Sequence, residues 1–291
     1  MKTVAVTGGK GGVGKSTVAI LLANKLRNEG RNVVLCDCDV ECPNDHLLLG
    51  QKLDKPVQKV YAKFPKLNQE KCTKCGLCVK KCPSNAIFMP PGQYPIFMHE
   101  LCASCGLCWN LCPFGAIEVE KKVTGEIFEN KILNPTGLDD NGSTRRVGQV
   151  WLVTGRSEGI IEETGPIVSE VRKFATKFAQ KNEVDYLLLD SAAGMHCSVI
   201  RALINVDLAY AVTEPTPLGA HDLKLILELL QKLKVPMNII LNQADLGNRK
   251  PIDQIAKNFG VKIEHEIPYS RKLVAAYSRG GLGEIDLLNA N

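Results

Sequence analysis

The first residues with evident chemistry form a glycine-rich loop near the start of the chain. Residues 9–16 read GKGGVGKS, which satisfies the phosphate-binding pattern G-x-x-x-x-G-K-[ST]. Glycines let backbone N–H groups approach phosphates, Lys15 can reach the terminal phosphates, and the Ser16 hydroxyl is suited to ligate Mg²⁺. The pattern therefore predicts a nucleotide site with Mg²⁺ formed by Gly9, Lys10, Gly11, Gly12, Val13, Gly14, Lys15, Ser16 and Thr17.

Eight of the twelve cysteines fall in two runs that share one spacing. Residues 72–83 read CTKCGLCVKKCP and residues 102–113 read CASCGLCWNLCP, so each run is C-x2-C-x2-C-x3-C-P. Bacterial two-cluster ferredoxins use this spacing, and the fourth cysteine of each run ligates the other cluster. The runs predict two 4Fe–4S clusters, one held by Cys72, Cys75, Cys78 and Cys112 and the other by Cys102, Cys105, Cys108 and Cys82.

The two cysteine runs belong to an internal repeat with an offset of 30 positions. Ten residues match at this offset, from Glu70 to Ile87 and again from Glu100 to Ile117, which indicates two copies of one small unit. Clustered cysteines in a cytosolic chain are better explained as metal ligands than as disulfides. Zinc sites use cysteine pairs in four-ligand units, so zinc or a purely structural role accounts less well for this pattern.

The loop and the cysteine runs need elements that position them. Residues 3–7 predict a buried strand before the loop, residues 16–28 a helix after it, and residues 32–37 a second buried strand. This order predicts a parallel pair with a right-handed crossover. The alternation resumes later, with strands predicted at 150–154, 186–190, 207–213 and 237–242 and helices at 165–181, 198–205, 219–234 and 271–279.

The interrupted alternation predicts an α/β fold that is divided by an insertion. We expect a discontinuous P-loop NTPase domain of residues 1–58 and 148–291, with a mainly parallel sheet flanked by helices. Residues 59–147 are predicted to form an inserted α+β domain of bacterial ferredoxin type with its linkers, because surface loops tolerate insertions. The turn-forming residues of 134–149 predict a loop at the end of this insertion.

The run KGGVGK resembles the deviant Walker A loop of the MinD/ParA/Mrp superfamily of ATPases. The resemblance covers residues 1–50 and 150–291, and it implies a dimer with ATP at its interface. Lys10 would then cross to the partner's nucleotide and stabilise transition-state charge together with Lys15. Asp39 resembles the switch I aspartate that positions the attacking water, and the resemblance implies that it is also a ligand of the Mg²⁺ ion.

Other segments resemble the same superfamily. Asp190, in a DSAAG segment that resembles Walker B and switch II, is predicted to hold Mg²⁺ through water. Asn242 resembles the residue that contacts the adenine base. Pro268 and Tyr269 resemble the loop that closes over that base.

Cys197 lies outside both cysteine runs, seven residues after Asp190. The nitrogenase iron protein, a member of the superfamily, has a cluster-ligating cysteine at its dimer interface at a similar distance. Cys197 is therefore a candidate ligand of a cluster shared between subunits, with a packing or capping role as the alternative. The C-terminal C-x2-C pair of Mrp-type carriers is absent, which argues against a direct transfer of their scaffold role.

Two functions follow from the combination of modules, which resembles MinD-type ATPases with an inserted ferredoxin domain. In the first, ATP hydrolysis drives switching of a dimer and controls electron transfer through the two clusters. In the alternative, the protein assembles or carries iron–sulfur clusters in the manner of Mrp-type ATPases. A positioning ATPase is the weakest hypothesis, because no basic amphipathic helix is evident at the C-terminus.

The sequence also predicts the setting of these functions. The expected partners are a second copy or a paralogue, giving a homodimer or heterodimer across the nucleotide, and a redox protein or cluster acceptor. The net charge of +5 is spread without a long basic run, so no nucleic-acid partner is predicted. Neither an apolar stretch of membrane-spanning length nor a signal peptide is evident, which predicts a cytoplasmic protein without membrane insertion.

Overall fold

A computed structural model describes residues 1–132, 147–159 and 163–285, and most of the loop predicted at 134–149 lies outside these ranges. The strands are β1 (Lys2–Thr7), β2 (Val33–Asp37), β3 (Gln58–Leu67), β4 (Ile87–Phe88), β5 (Ile96–Phe97), β6 (Ile117–Ile132), β7 (Val150–Ser157), β8 (Tyr186–Asp190), β9 (Leu208–Thr213), β10 (Met237–Asn242) and β11 (Ile263–Ile267). The helices are α1 (Lys15–Asn28), α2 (Asp45–Leu48), α3 (Leu77–Lys81), α4 (Leu107–Leu111), α5 (Gly165–Lys181), α6 (Cys197–Leu203), α7 (Pro217–Lys232), α8 (Lys250–Phe259) and α9 (Arg271–Arg279).

One nine-stranded sheet organises the molecule, in the order β11-β10-β9-β1-β8-β2-β7-β6-β3. The strands from β11 to β7 are parallel to one another, and β6 and β3 follow as antiparallel strands at one side. The carboxyl ends of the parallel strands therefore meet at one edge of the sheet. Ligands of open α/β sheets bind at this edge, and β1, β2, β8 and β10 all end there.

Helices cover both faces of the parallel strands. All five residues of β2 and four of the five residues of β8 are buried, as expected for strands that are packed on both sides. One apolar layer joins the sheet to α5, α6, α7 and α8, and the other joins it to α1, α2 and α9. The predicted mainly parallel α/β fold with flanking helices is thus confirmed.

Strands β3 and β6 connect the cysteine region to this sheet. β6 pairs antiparallel with β7 from Gly125 opposite Ser157 to Ile132 opposite Val150, and β3 pairs antiparallel with β6. The chain between them contains α3, α4 and the short β4–β5 ladder. The hydrogen-bonded ladder therefore continues from the parallel strands into the predicted insertion. The domain boundaries at 58/59 and 147/148 stay a prediction.

The strands and helices predicted between residues 150 and 279 are found within a few residues of their expected limits. The elements that were not predicted are β3, β6, α8 and β11, together with the short α2, α3, α4, β4 and β5. Helix α8 is amphipathic, with Ile252 and Ala256 buried, so its periodicity was present but too short to stand out among lysines and asparagines. None of the helices in the described ranges combines the length and the apolar character needed to cross a membrane.

Candidate functional site

The glycine-rich loop runs from the end of β1 directly into α1. Gly12 and Gly14 have φ angles of 84° and 90°, where a residue with a Cβ is strained. A Cβ at Gly14 would also lie 2.4 Å from Nδ2 of Asn242. No side chain of the described residues caps the start of α1, so its first N–H groups are available to an anion in the loop.

Predicted catalytic and metal-binding side chains converge beside this loop. Lys15 is buried, and its Nζ donates a hydrogen bond to the carbonyl oxygen of Lys10 at 3.2 Å. Burial lowers the pKa of Lys15, and the nearby carboxylates of Asp190 and Asp39 oppose that shift. Burial raises the pKa of Asp190 to about 7, against the effects of the Ser16 hydroxyl and of Lys15. The structure thus brings Ser16 and Asp190, two of the three predicted Mg²⁺ ligands, into contact.

The segment after β2, predicted to be switch I, is organised by the carboxylate of Asp37. Its Oδ1 accepts a hydrogen bond from the N–H of Asp39 at 3.1 Å. Its Oδ2 accepts from the N–H groups of Asn44 and Asp45 at 3.0 and 3.1 Å. The N–H of Cys42 donates to Oδ1 of Asp39 at 3.3 Å. These bonds fold the segment into a turn that presents Asp39 to the nucleotide loop.

A cavity of about 340 Å³ connects the loop with the predicted base-binding end of the site. This volume is within the range of small-molecule sites. At the phosphate end it is lined by Gly11, Gly12, Gly14, Lys15, Ser16, Thr17, Asp39 and Asn44. At the other end the lining residues are Asn242, Gln243, Pro268, Tyr269, Ser270, Leu273, Val274 and Tyr277.

The far end of this cavity joins predicted and unpredicted residues. Asn242, Pro268 and Tyr269 were expected there, and all three line the cavity. Asn242 also supports the loop, because its Nδ2 donates to the carbonyl oxygen of Val13 at 2.9 Å. The apolar residues of α9 were missed, since the sequence predicted the helix but held no signal that one of its faces meets a ligand.

Lys10 does not line this cavity, and its side chain pairs with a glutamate in the segment between β9 and α7. Its Nζ lies 2.7 Å from Oε1 of Glu214, and the two side chains are only 24% and 16% exposed. Glu214 also accepts a hydrogen bond from Oγ1 of Thr216 at 3.2 Å. The predicted contribution of Lys10 to a partner's nucleotide therefore requires that this pair separate.

No role was predicted for Asp45, the first residue of α2. Its carboxylate and those of Asp37 and Asp190 offer oxygens that lie within 4.8 Å of one another, and all three residues are buried. Each of the three is polar and almost fully enclosed, with exposed fractions of 0%, 0% and 1%. Asp45 lies eight positions after Asp37 in the sequence, and no sequence pattern indicates that its carboxylate meets those of Asp37 and Asp190.

The eight clustered cysteines are gathered around two further cavities. The first, cavity A, is lined by Cys72, Cys75, Cys78 and Cys112. The second, cavity B, is lined by Cys82, Cys102, Cys105 and Cys108. Each cavity thus takes three cysteines from one run and the fourth from the other, in the combination that the sequence predicts.

The two halves of the cysteine region have matching local structure. Gly76 and Gly106 have φ angles of 71° and 81° and precede α3 and α4, which lets the chain wrap tightly around each cavity. The N–H of Ala86 donates to Sγ of Cys82 at 3.3 Å, and the N–H of Ala116 donates to Sγ of Cys112 at 3.4 Å. Such N–H···S bonds stabilise thiolate ligands.

The sulfur spacing argues for an occupant larger than one ion. Tetrahedral Zn–S bonds of about 2.3 Å place the sulfurs of one zinc site about 3.8 Å apart. Among the described residues, a single set of three or more cysteine, histidine or acidic ligand atoms lies within 4.8 Å, and it contains no cysteine. Burial raises the pKa of the Cys108 thiol to about 11, so a metal must displace its proton for it to serve as a ligand. The residues present fit a 4Fe–4S cluster in each cavity.

Cys197 lies apart from both cavities. It is the first residue of α6 and is exposed. It is thus available at the surface near the end of the segment that follows Asp190. Its predicted role as a ligand shared between subunits stays a prediction.

Comparison with known proteins identifies the fold and relatives of the chain. Residues 4–282 match the family described as the CobQ/CobB/MinD/ParA nucleotide binding domain. An uncharacterised protein of Methanocaldococcus jannaschii is 34% identical over 280 residues, which cover 96% of this chain and 90% of the relative. The iron-sulfur cluster carrier protein of the same organism is 23% identical, over 95% of this chain and 76% of the relative.

A solved structure has the same fold. The MinD cell division protein of Aquifex aeolicus superposes with a TM-score of 0.54 at 18% identity, over 96% of this chain and 87% of that one. At this identity the likeness concerns the fold alone.

Proposed function

The chain belongs to the CobQ/CobB/MinD/ParA nucleotide-binding domain family, and on this premise we propose that it is an ATPase whose nucleotide-driven switching controls electron transfer through an inserted ferredoxin domain. Both modules are present in one chain, and strands β3 and β6 of the large sheet flank the cysteine runs. The proposal assigns a role to each module and to the strands that join them.

The nucleotide module supplies binding and hydrolysis of ATP. The N–H groups of the loop and of the start of α1 bind the phosphates, and Lys15 neutralises their charge. Ser16 and Asp190 hold the Mg²⁺ ion that enters with the nucleotide. Asp39 positions the attacking water, while Asn242 fixes the loop beneath the nucleotide through Val13.

The cysteine module supplies the redox groups. Two 4Fe–4S clusters, one in cavity A and one in cavity B, would exchange single electrons. The chain provides the four thiolates of each site and the N–H groups of Ala86 and Ala116. Cys75 and Cys105 are exposed, which places one edge of each cavity within reach of a docked redox partner.

The observation that carries the proposal is a short structural connection between switch I and the cysteine module. The N–H of Ser157, the last residue of β7, donates to the carbonyl oxygen of Val40 in switch I at 2.7 Å. Ser157 is paired with Gly125 of β6, the strand that begins after the second cysteine run. A shift of switch I on ATP binding would therefore act on β6, whose first residue, Ile117, lines cavity A.

Close packing stiffens this connection. A Cβ at Gly155 of β7 would lie 2.7 Å from Cγ1 of Val40, so the two segments touch without a gap. Oγ1 of Thr164 donates to Oε1 of Glu41 at 2.8 Å, which ties the next residue of switch I to the start of α5. Closely packed segments transmit a displacement to their neighbours, because there is no free space to absorb it.

An anaerobic redox titration followed by electron paramagnetic resonance tests the proposal. Two interacting 4Fe–4S signals are expected, and Mg-ATP should shift a midpoint potential by on the order of 60 mV, equal to a tenfold change in a one-electron equilibrium. The Asp39→Asn variant should bind ATP but hydrolyse none, so that no change in the cluster potentials accompanies turnover. Signals that are present and indifferent to ATP would leave the cysteine module as a passive relay and overturn the coupling.

The second candidate function is assembly or carriage of iron–sulfur clusters. It is favoured by the similarity to an iron-sulfur cluster carrier protein and by the exposed position of Cys197. It predicts iron beyond the roughly eight atoms of two clusters and transfer of the excess to an apo-ferredoxin. A Cys197→Ser variant with unchanged iron content, and no transfer by the wild-type protein, would exclude it.

A further inference from the structure

Three aspartates meet behind the nucleotide loop, at the carboxyl edge of the sheet. Asp37 and Asp190 are the last residues of β2 and β8 and are paired in register in neighbouring strands. Asp45 reaches them from the first turn of α2. Oxygens of all three lie within 4.8 Å of one another, and no residue of the three is more than 1% exposed.

The hydrogen bonds around these carboxylates are unequal. Asp37 accepts bonds on both oxygens from backbone N–H groups, which stabilises its anionic form. Both oxygens of Asp45 lack a hydrogen-bond partner in the described structure, although they are fully buried. Oδ1 of Asp190 also lacks a partner, so its carboxylate can bond to Ser16 through the other oxygen.

Two neutral oxygens in the same region are also buried and without partners among the described residues. Oγ1 of Thr154 belongs to the residue of β7 that is in register with Asp37, so its side chain points to the same face of the sheet. Thr154 is 0% exposed. The second buried oxygen without a partner is Oδ1 of Asn44, the residue before Asp45. Buried polar atoms normally have a partner, and this group of oxygens indicates a missing donor or cation.

Charge favours a cation over a neutral donor. Three carboxylates share this buried space, with oxygens within 4.8 Å of one another, and neither oxygen of Asp45 has a hydrogen-bond donor among the described residues. An uncompensated buried carboxylate is strongly destabilising, and a cation among the three would remove that cost.

We propose that Asp37, Asp45 and Asp190 bind a divalent cation that is distinct from the Mg²⁺ ion carried in with the nucleotide. The ligands are all oxygen atoms and three of the residues are carboxylates, which suits hard cations such as Mg²⁺, Mn²⁺ or Ca²⁺. Thr154 and Asn44 complete the coordination. The ion fastens α2 and switch I to the end of β8, the strand that also holds the nucleotide's Mg²⁺.

This site differs from the nucleotide's metal site in one testable way. The two sites share Asp190, but the nucleotide's Mg²⁺ also needs Ser16 and phosphate oxygens, and therefore needs the nucleotide. The site at Asp45 is composed of protein oxygens alone and binds its ion in the empty protein. Binding of Mn²⁺ without nucleotide consequently separates this proposal from the proposed ATPase function.

The test is titration of the chelator-treated protein with Mn²⁺ in the absence of nucleotide. Binding is measured as loss of the electron paramagnetic resonance signal of aqueous Mn²⁺. The wild-type chain should bind a single ion, and Asp45→Asn should weaken its affinity by at least about tenfold, since even outer partners of a metal ligand contribute that much. Asp54→Asn changes an exposed aspartate in the same chemical way and should have no effect. An undiminished aqueous signal with the wild-type protein, or equal affinity in Asp45→Asn, overturns the site.

A second measurement needs no variant and therefore does not depend on folding of Asp45→Asn. Crystals of the wild-type protein grown with MnCl2 and without nucleotide should give an anomalous peak bounded by the three aspartates. A peak found at Ser16 alone, or only at the surface, would mean that the aspartates hold protons instead of a cation and would overturn the proposal.

Discussion

Replacing Glu214 by glutamine should strengthen ATP-dependent dimerisation. In the isolated chain Lys10 is held by Glu214 at 2.7 Å, and a lysine that crosses to a partner's nucleotide must first leave this glutamate. Glu214→Gln removes the charge of the acceptor but keeps its size and its carbonyl oxygen. The variant thus lowers the cost of releasing Lys10 without opening a cavity.

The magnitude follows from the geometry of the pair. Hydrogen bonds to charged groups contribute about 1.5–3 kcal/mol and neutral ones about 0.5–1.5 kcal/mol, so the substitution lowers the cost by about 1–1.5 kcal/mol. The side chains are 24% and 16% exposed, so solvent screening reduces this value little. A symmetric dimer releases two such lysines, which gives about 2–3 kcal/mol and a dissociation constant about 30- to 140-fold lower.

Analytical ultracentrifugation with a non-hydrolysable ATP analogue measures this constant. Glu228→Gln is a matched control, because the Glu228 side chain is 41% exposed and lies 3.9 Å from Nζ of Lys224. It should change the constant less than about twofold. Combining Lys10→Ala with Glu214→Gln should abolish the gain, since no lysine is left to release.

Two outcomes would refute this reasoning. An unchanged dissociation constant in Glu214→Gln would mean that the pair with Lys10 persists in the dimer. A weaker dimer would mean that Glu214 itself binds the partner subunit. In either case Lys10 would not be restrained by Glu214 in the way that the distance of 2.7 Å implies.

Three further substitutions test the loop, the cysteine cavities and the connection between them. Gly14→Ala should lower the free energy of unfolding, measured by urea denaturation, by about 2–4 kcal/mol, because the alanine is strained at a positive φ and displaces the buried amide of Asn242. Gly11→Ala is the control, since a Cβ at Gly11 meets open space, and it should change the free energy of unfolding by less than about 0.5 kcal/mol. Cys112→Ser should remove the cluster of cavity A and about half of the iron, while Cys42→Ser should leave the iron content intact; a loss confined to the second run's own cavity would contradict crossed ligation. Ser157→Pro, which lacks the N–H donor to switch I, should abolish the effect of ATP on the cluster potentials, and Ser157→Ala should preserve it; an equal effect of ATP in both variants would disprove the connection.

The sequence by itself determined the local chemistry of this protein. The glycine loop was identifiable because phosphate binding requires backbone N–H groups at fixed spacing, and only glycine adopts the angles found at Gly12 and Gly14 without strain. The grouping of the cysteines into two sets of four was predictable because bacterial two-cluster ferredoxins use this spacing. Short spacings within each run limit which thiols can surround one cavity, and an internal repeat revealed the second copy.

The parallel sheet was predictable where strands are buried on both faces. Segments such as VVLCD and YLLLD are continuous apolar runs, which sequence patterns detect readily. Strands β3 and β6 escaped prediction because they lie toward one side of the sheet and carry many exposed lysines and glutamates. Their partners are distant in the sequence, and no local pattern records which strand they join.

Only the tertiary structure decided which distant groups meet. Asp45 meets Asp37 and Asp190 because α2 folds back onto the carboxyl edge of the sheet, and a buried aspartate looks in the sequence like an ordinary helix-starting residue. Lys10 meets Glu214 across 204 positions, so its resting partner was invisible to any motif. Spacing along the chain fixes chemistry within one loop or one run, whereas contacts between strand ends depend on how the whole sheet is assembled.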